Sequence, residues 1–477
     1  RCLTYFQNGI RNLSFNYKNH KNEDERSRDD DYTLENAIES VLTEFHLSRE
    51  QIRYLKPIVM GDQVKSKKDK KDCNGKMSLK YFDCSVYNRG FRYYDFIDDP
   101  NHSMRSEIQL FDFQDSPERI LLHLSEKAKV IGISATATLD TVIGNYDLEY
   151  LQRMLQDKFY VMPESDKRRL QESFRTFVAN YDKVNIHVEP VFCSADDRAE
   201  LAEIFDGNEA LINMYAEKLT TTFEGVEYAK NNFIRVVKVM KLFILNDSVK
   251  SFLCLTNKLP QENKGLFDIK LLEDFADAII KFYGIKGLKG KNLLYSINSE
   301  GYDAKRAKVI QRLSNGEKIF VISSYNTVGA GQNLQYKAPV NAMIVAVNNY
   351  DRGDLEKDFD CIYLEKPTNL LVNVDSKKGI EAEDLVRFVY QMEFLMERVS
   401  RKAGIAVIKD AFICFNGGHT FSGKKGDPYK TDSVNNFAIR TLIQAVGRIC
   451  RTGLKNPDIY IYVDDTILRD YDFSSVE

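Results

Sequence analysis

Three short apolar runs, each closing on small or polar residues, constrain this chain more than any other feature. They are 128–133 leading into Ser134-Ala135-Thr136-Ala137-Thr138, 251–255 leading into Thr256-Asn257, and 318–322 leading into Ser323-Ser324. A run that is apolar at consecutive positions has no side left for water, which marks a parallel strand covered on both faces. Strands of this kind end in the crevice where α/β sheets hold ligands. Helical spacing fills the intervals. It is clearest at Leu34, Ala37, Ile38, Val41, Leu42 and Phe45, over 167–181, across 196–246, over 271–282, and at Leu385, Phe388, Val389, Met392, Leu395, Met396 and Val399. Further strands are expected at 184–192, where Pro190 suits an edge, and at 341–347, 361–364, 411–415 and 458–463.

At 477 residues, of which 43% are hydrophobic, the chain is long enough for about two to three cores. A net charge of −3 and a pI near 6.2 exclude a polybasic, histone-like protein. They leave room for a local basic cleft. The charge-dense stretches 20–31 and 64–76 lack the apolar residues needed to pack and read as loops. The basic run Lys65 to Lys71 is either a solvated loop or a phosphate-backbone contact. The aromatic and arginine-rich 81–96 reads as a half-buried extended segment, with base stacking as the alternative. The eight cysteines form no C-x-x-C pair and read as reduced thiols of a cytoplasmic protein. No stretch approaches the ~20 apolar residues of a membrane span, and no signal peptide is visible. The chain opens on Arg1, and 1–6 reads as the interior of an element, so a piece of a longer polypeptide is expected.

The candidate chemistry sits on a helix over 441–451. Leu442, Ile443, Val446 and Ile449 form its packed side, and Gln444, Gly447, Arg448 and Arg451 line the neighbouring surface. Two arginines one turn apart suit a phosphate group because the guanidinium is a fixed, permanently charged fork of donors. The glycine leaves room for close approach. A second candidate is the loop 325–335, where Gly329 and Gly331 follow a strand and Ser324. Small residues there let backbone N–H groups approach phosphate oxygens.

The pattern Gln444-x-x-Gly447-Arg448-x-x-Arg451 resembles motif VI of superfamily 2 helicases and translocases. Ser134-Ala-Thr136 resembles motif III. The strand ending in Asn257 stands where motif IV would, and the loop with Gly329, Gly331 and Asn333-Leu334-Gln335 resembles motif V. The resemblance spans about 118–470 and implies two RecA-like parallel-sheet domains with helical insertions, the first incomplete at its N-terminus. The expected layout is 1–183 for the rest of that first domain, 184–250 for a helical connector, and 251–477 for the second domain with an insertion at 373–436. The resemblance further implies an ATP-dependent helicase or translocase on nucleic acid, DNA before RNA, with ATP and Mg2+ as cofactors. Arg448, Arg451 and Gln444 would be catalytic. Gly329, Gly331, Asn333 and Gly447 would shape the nucleotide site, Ser134 and Thr136 would couple it to the nucleic acid, and Ser324, Thr327 and Asn257 would touch the strand. By analogy, such insert-rich members resemble prokaryotic restriction or antiviral-defence helicases, with an effector or nuclease partner protein.

Two signatures of the family are missing from this sequence. There is no G-x-x-x-x-G-K-[ST] loop and no strand closing on an acidic D-E box, so most Mg2+ ligands are expected upstream of this chain. The competing expectation is a non-catalytic RecA-like module that binds nucleic acid or a partner protein.

Overall fold

Residues Ser251–Thr256 are buried along their whole length, and their side chains alternate between two separate cores. Phe252 and Cys254 join one core, Leu253 and Leu255 the other. A strand buried on both faces sits at the centre of a covered parallel sheet. The structure, a computed structural model, describes residues 9–18, 33–60, 91–98, 106–113, 115–141, 143–261, 266–328, 334–348, 356–372, 374, 382–395, 401–415 and 431–474. The chain forms two compact units that interleave in sequence. One comprises Arg1–Val130, Tyr146–Leu155 and Val374–Thr431, the other Ile131–Asn145, Gln156–Asn373 and Asp432–Glu477.

The larger unit holds a six-stranded sheet of β1 (Asn185–Val191), β2 (Ser251–Thr256), β3 (Leu294–Ile297), β4 (Ile319–Ser324), β5 (Cys361–Leu364) and β6 (Asp458–Asp464), in the order β1-β6-β5-β2-β4-β3. Every neighbouring pair is parallel. On one face lie α1 (Glu227–Leu245) and α2 (Ile269–Phe282), with Phe233, Met240, Phe243, Phe275 and Ile279 meeting Phe252, Phe320 and Tyr363. On the other lie α3 (Tyr302–Ser314) and α4 (Asp432–Val446), with Val309, Leu313, Leu442 and Ala445 against Leu253, Val321 and Ile362. The α/β class with an all-parallel sheet flanked by helices therefore stands. It is the one parallel sheet among the described residues, where the family resemblance implied two. β1, read from sequence as part of the connector, forms an edge of it, and Pro190 lies in that edge strand, where a missing N–H costs least.

The smaller unit contributes the antiparallel pair Phe91–Asp98 and Ser106–Phe113 and a helical cluster around Leu34–Glu44 and Arg49–Met60. Ile10, Ile38, Leu42, Ile52 and Val59 form its core. The first of those helices is capped by Thr33, whose hydroxyl accepts from the Asn36 amide at 3.2 Å. The helices Ala382–Leu395 and Arg401–Phe415 of the expected insertion belong to this unit.

Three expected strands differ. Residues 128–133 are not a strand but an open segment, with Ile131 82% and Ile133 93% exposed. A strand is held by its neighbours, and among the described residues this run has none to pair with. Residues 411–415 lie inside the helix Arg401–Phe415, whose buried Gly404, Val407, Ile408, Ala411 and Phe412 recur at helical spacing. A five-residue apolar run is too short for its periodicity to separate helix from strand. Of 341–347 only Val345–Ala346 is extended, in a small sheet with Tyr336–Lys337, Glu356–Lys357 and Leu454–Lys455.

Candidate functional site

Helix α4 buries Val434, Ala438, Ile439, Leu442 and Ala445 and runs into a short 3₁₀ turn, Gly447–Ile449. Leu442 and Ala445 of that stripe join the core on the sheet. That placement turns Asn436, Arg440, Gln444 and Gly447 along an adjoining side, since residues three and four apart are neighbours. Arg448 is 8% exposed, and its burial together with the charge of Arg451 pushes its pKa down to about 10, against a partial offset from Tyr302. It remains a cation at neutral pH. Space in front of Gly447 is open, because a Cβ built there would meet nothing within 4 Å.

The turn after the helix is held by one buried carboxylate. Oδ2 of Asp358 accepts from the amides of Arg451 and Thr452, both at 2.7 Å, and from the Thr452 hydroxyl at 3.0 Å. The Lys455 ammonium closes on the same oxygen, and it also donates to the Ile449 carbonyl at 3.1 Å. Asp358 and Lys455 are both buried, so the backbone that carries Arg451 is anchored while its side chain is exposed.

The hydroxyl loop reaches the same helix from far away in sequence. Thr136 is buried, and its Oγ1 lies 3.3 Å from Ser134 Oγ and 3.5 Å from Gln444 Nε2. Asn145 donates to the carbonyls of Thr136 at 2.7 Å and Leu139 at 3.1 Å. Asn436 of α4 donates to the Asp140 carbonyl at 2.8 Å, and the hydroxyls of Ser433 and Thr141 are 3.3 Å apart. Gly144 leaves no room for a side chain, since a Cβ there would sit 2.4 Å from the Phe437 ring. Ser134, Thr136 and Gln444 are thus brought together. The loop gets there by packing on α4 rather than by ending a strand.

The remaining candidates form a separate group at the carboxyl ends of the strands. Ser324 and Thr327 share hydroxyls at 2.9 Å, and the Thr327 amide donates to Ser324 Oγ at 3.2 Å, within a helical turn Tyr325–Val328. Asn257 spends its side chain on the next crossover. It donates to the Lys366 carbonyl at 2.7 Å and accepts from the Thr368 amide at 3.0 Å. Gly329, Gly331 and Asn333 lie outside the described residues.

Beside Asn257 is an acid that the sequence reading passed over. Glu365 follows β5 directly and is buried. One carboxylate oxygen accepts from Asn232 at 2.6 Å and the other from the Asn257 amide at 2.7 Å. Burial lifts its pKa to about 7, with Asp464 adding to the rise and the Asn257 bonds and Arg235 opposing it. Arg235 in turn lies 3.5 Å from Asp464 and 2.8 Å from Asp465. The available signal was an acid closing a run of four apolar residues. Among the described residues no group of three His, Cys, Asp or Glu side chains could hold a metal ion. No protein-family model matches the chain, and no curated protein matches it.

Proposed function

We propose that this chain supplies the arginine-bearing half of an ATP-dependent nucleic-acid helicase or translocase. What supports the reading is one juxtaposition: the Ser134/Thr136 hydroxyl pair rests on Gln444 of α4, which leads through a 3₁₀ turn bearing Arg448 to Arg451. A group that reports on nucleotide state and a pair of cations suited to phosphate charge would share one rigid element. In this reading Arg448 and Arg451 bind the terminal phosphate and stabilise the charge that develops as it leaves. Gln444 orients, and Asp358 holds the turn beneath Arg451. Magnesium would screen the phosphate oxygens, and its ligands are expected mostly outside this chain; the part assigned to this chain is the cationic one, Arg448 and Arg451. The nucleic-acid strand, the effector or nuclease partner and the role in antiviral defence belong to the same proposal.

The test is steady-state ATP hydrolysis, with and without nucleic acid, by the polypeptide that joins these motifs to a phosphate loop. Arg448→Ala or Arg451→Ala should lower kcat by roughly 10³, the scale of arginine-finger effects, with melting near wild type for the exposed Arg451. The 477-residue chain by itself should turn over no ATP. Wild-type rates in both alanine variants, or brisk hydrolysis by this chain alone, would sink the reading.

A further inference from the structure

Arg440 lies one helical turn before Gln444 on α4, and nothing described in the protein balances its charge. Its Nε is buried and has no hydrogen-bond partner among the described residues. Its guanidinium stands over the Phe437 ring, 5.9 Å from the centroid. Burial alone lowers its pKa, and no carboxylate acts to raise it. Three other cations of this unit that are drawn out of water are each set against carboxylates. Arg235 is bracketed by Asp464 and Asp465, Lys238 by Glu200 and Glu203, and Lys455 is set on Asp358.

A cation drawn out of water without a counter-charge costs stability, and a ring face recovers only a small part of that. The hydroxyl loop does not help either, since its one acid, Asp140, is exposed and offers α4 its backbone carbonyl. Residues 440, 444 and 447 share one side of the helix by their spacing. At about 1.5 Å of rise per residue, Arg440 stands roughly 12 Å along the axis from Arg448.

We propose that Arg440 is a third phosphate-contacting arginine, standing on α4 about two turns before the turn that carries Arg448 and Arg451. The inference rests on the reading of α4 as the phosphate-facing helix. The missing counter-charge is then the ligand's. Phosphate could come from a nucleotide or from a nucleic-acid backbone, and the two sources part under salt, because strand binding releases counterions.

The experiment uses the whole chain with two probes, ATP and a fluorescent single-stranded oligonucleotide, each titrated at two salt concentrations. The variants are R440M, which keeps the apolar stem over Phe437, R440K, which keeps the charge, R448A with R451A as reference, and R469Q as a control on an exposed ion pair. R440M should weaken at least one probe five-fold or more, R440K should restore part of the loss, and R440M should melt no lower than wild type. Loss in the ATP arm marks a nucleotide contact. Loss in the oligonucleotide arm, with a salt slope smaller by about one, marks a backbone contact. If R440M binds both probes like wild type while R448A/R451A does not, the inference fails and the reading of the helix survives. If no variant differs, or if wild type binds neither probe, both fail. A lower melting temperature in R440M with binding unchanged assigns Arg440 to packing and overturns the inference.

Discussion

Glu365 is the residue whose ionisation the fold disfavours most plainly among those at the carboxyl ends of the strands. Its ordinary pKa of 4.5 rises to about 7, so the folded state prefers the protonated acid. Stability drawn from that preference is complete below 4.5 and is lost as pH climbs through 7. Glu365→Gln does not titrate. Its stability relative to wild type should therefore improve between pH 5 and pH 8, whatever constant offset the amide introduces. At 1.36 kcal/mol per unit the full swing is on the order of 3 kcal/mol. Denaturant midpoints at four pH values check it, and a difference that stays flat with pH would count against the burial argument. Asp358 gives a second prediction. Its removal strands the Lys455 ammonium, which is 1% exposed, so Asp358→Ala should cost about 3–5 kcal/mol. Adding Lys455→Met should recover most of that, because the buried charge goes with its partner. Urea unfolding of the single and double variants measures the coupling, and additive losses would mean that the pair is not the anchor.

At the scale of elements, the same kind of run meets two fates. The runs 251–255 and 318–322 became central strands because helices cover both faces and neighbours pair with both edges. The run 128–133 has no such company among the described residues and stands in solvent. Ile133→Ser should therefore move stability by about 0.5 kcal/mol or less, the usual surface effect. Leu253→Ala, made in a fully packed strand, should cost about 2–5 kcal/mol. Thermal melts of the two variants decide between them, and a large loss at Ile133 would return that segment to a core. The helix α4 was legible because Leu442, Ile443, Val446 and Ile449 recur at helical spacing beside a conspicuous polar side, although of these only Leu442 and Ile449 are fully buried and Ile449 lies in the turn beyond the helix. Arg440 was equally visible, one turn upstream of Gln444, but a lone arginine on a helix is ordinarily solvated and only its buried, unpartnered Nε singles it out. The helix Arg401–Phe415 was missed because alanine, isoleucine and phenylalanine serve either structure over so short a window.

At the scale of the whole molecule, the two units are interleaved in sequence, so the helices 382–395 and 401–415 return to the unit of the chain's first 130 residues. No composition signal reveals such a return, since it depends on which surfaces meet rather than on what any segment contains. Among the described residues no helix is long and apolar enough to cross a membrane. With a net charge of −3, strand binding under the proposed function has to come from a local surface rather than from overall attraction. Affinity for single-stranded oligonucleotides should be indifferent to base sequence and fall steeply between 50 and 200 mM salt, by about 300-fold if six phosphates are neutralised. Filter binding across a salt series with two unrelated sequences tests this, and a flat salt response with a strong base preference would argue for a different class of ligand.

The sequence by itself determined the α/β class, the central strands, the edge place of the strand with Pro190, and a helix carrying Gln444. These follow from local rules, namely runs without a polar side, a missing N–H, and a period of 3.6. The expected continuation of that helix through Arg448 and Arg451 gives way to a 3₁₀ turn in which Arg448 is buried. Tertiary structure alone decided that Thr136 comes to rest on Gln444, more than three hundred residues away, and that Asp358 clamps the turn under Arg451. It also decided that Glu365 is buried beside Asp464 and Arg235, and that 128–133 lies in water. Contacts and burial between distant residues depend on which surfaces the folded chain brings together, and no window of neighbouring residues carries that information.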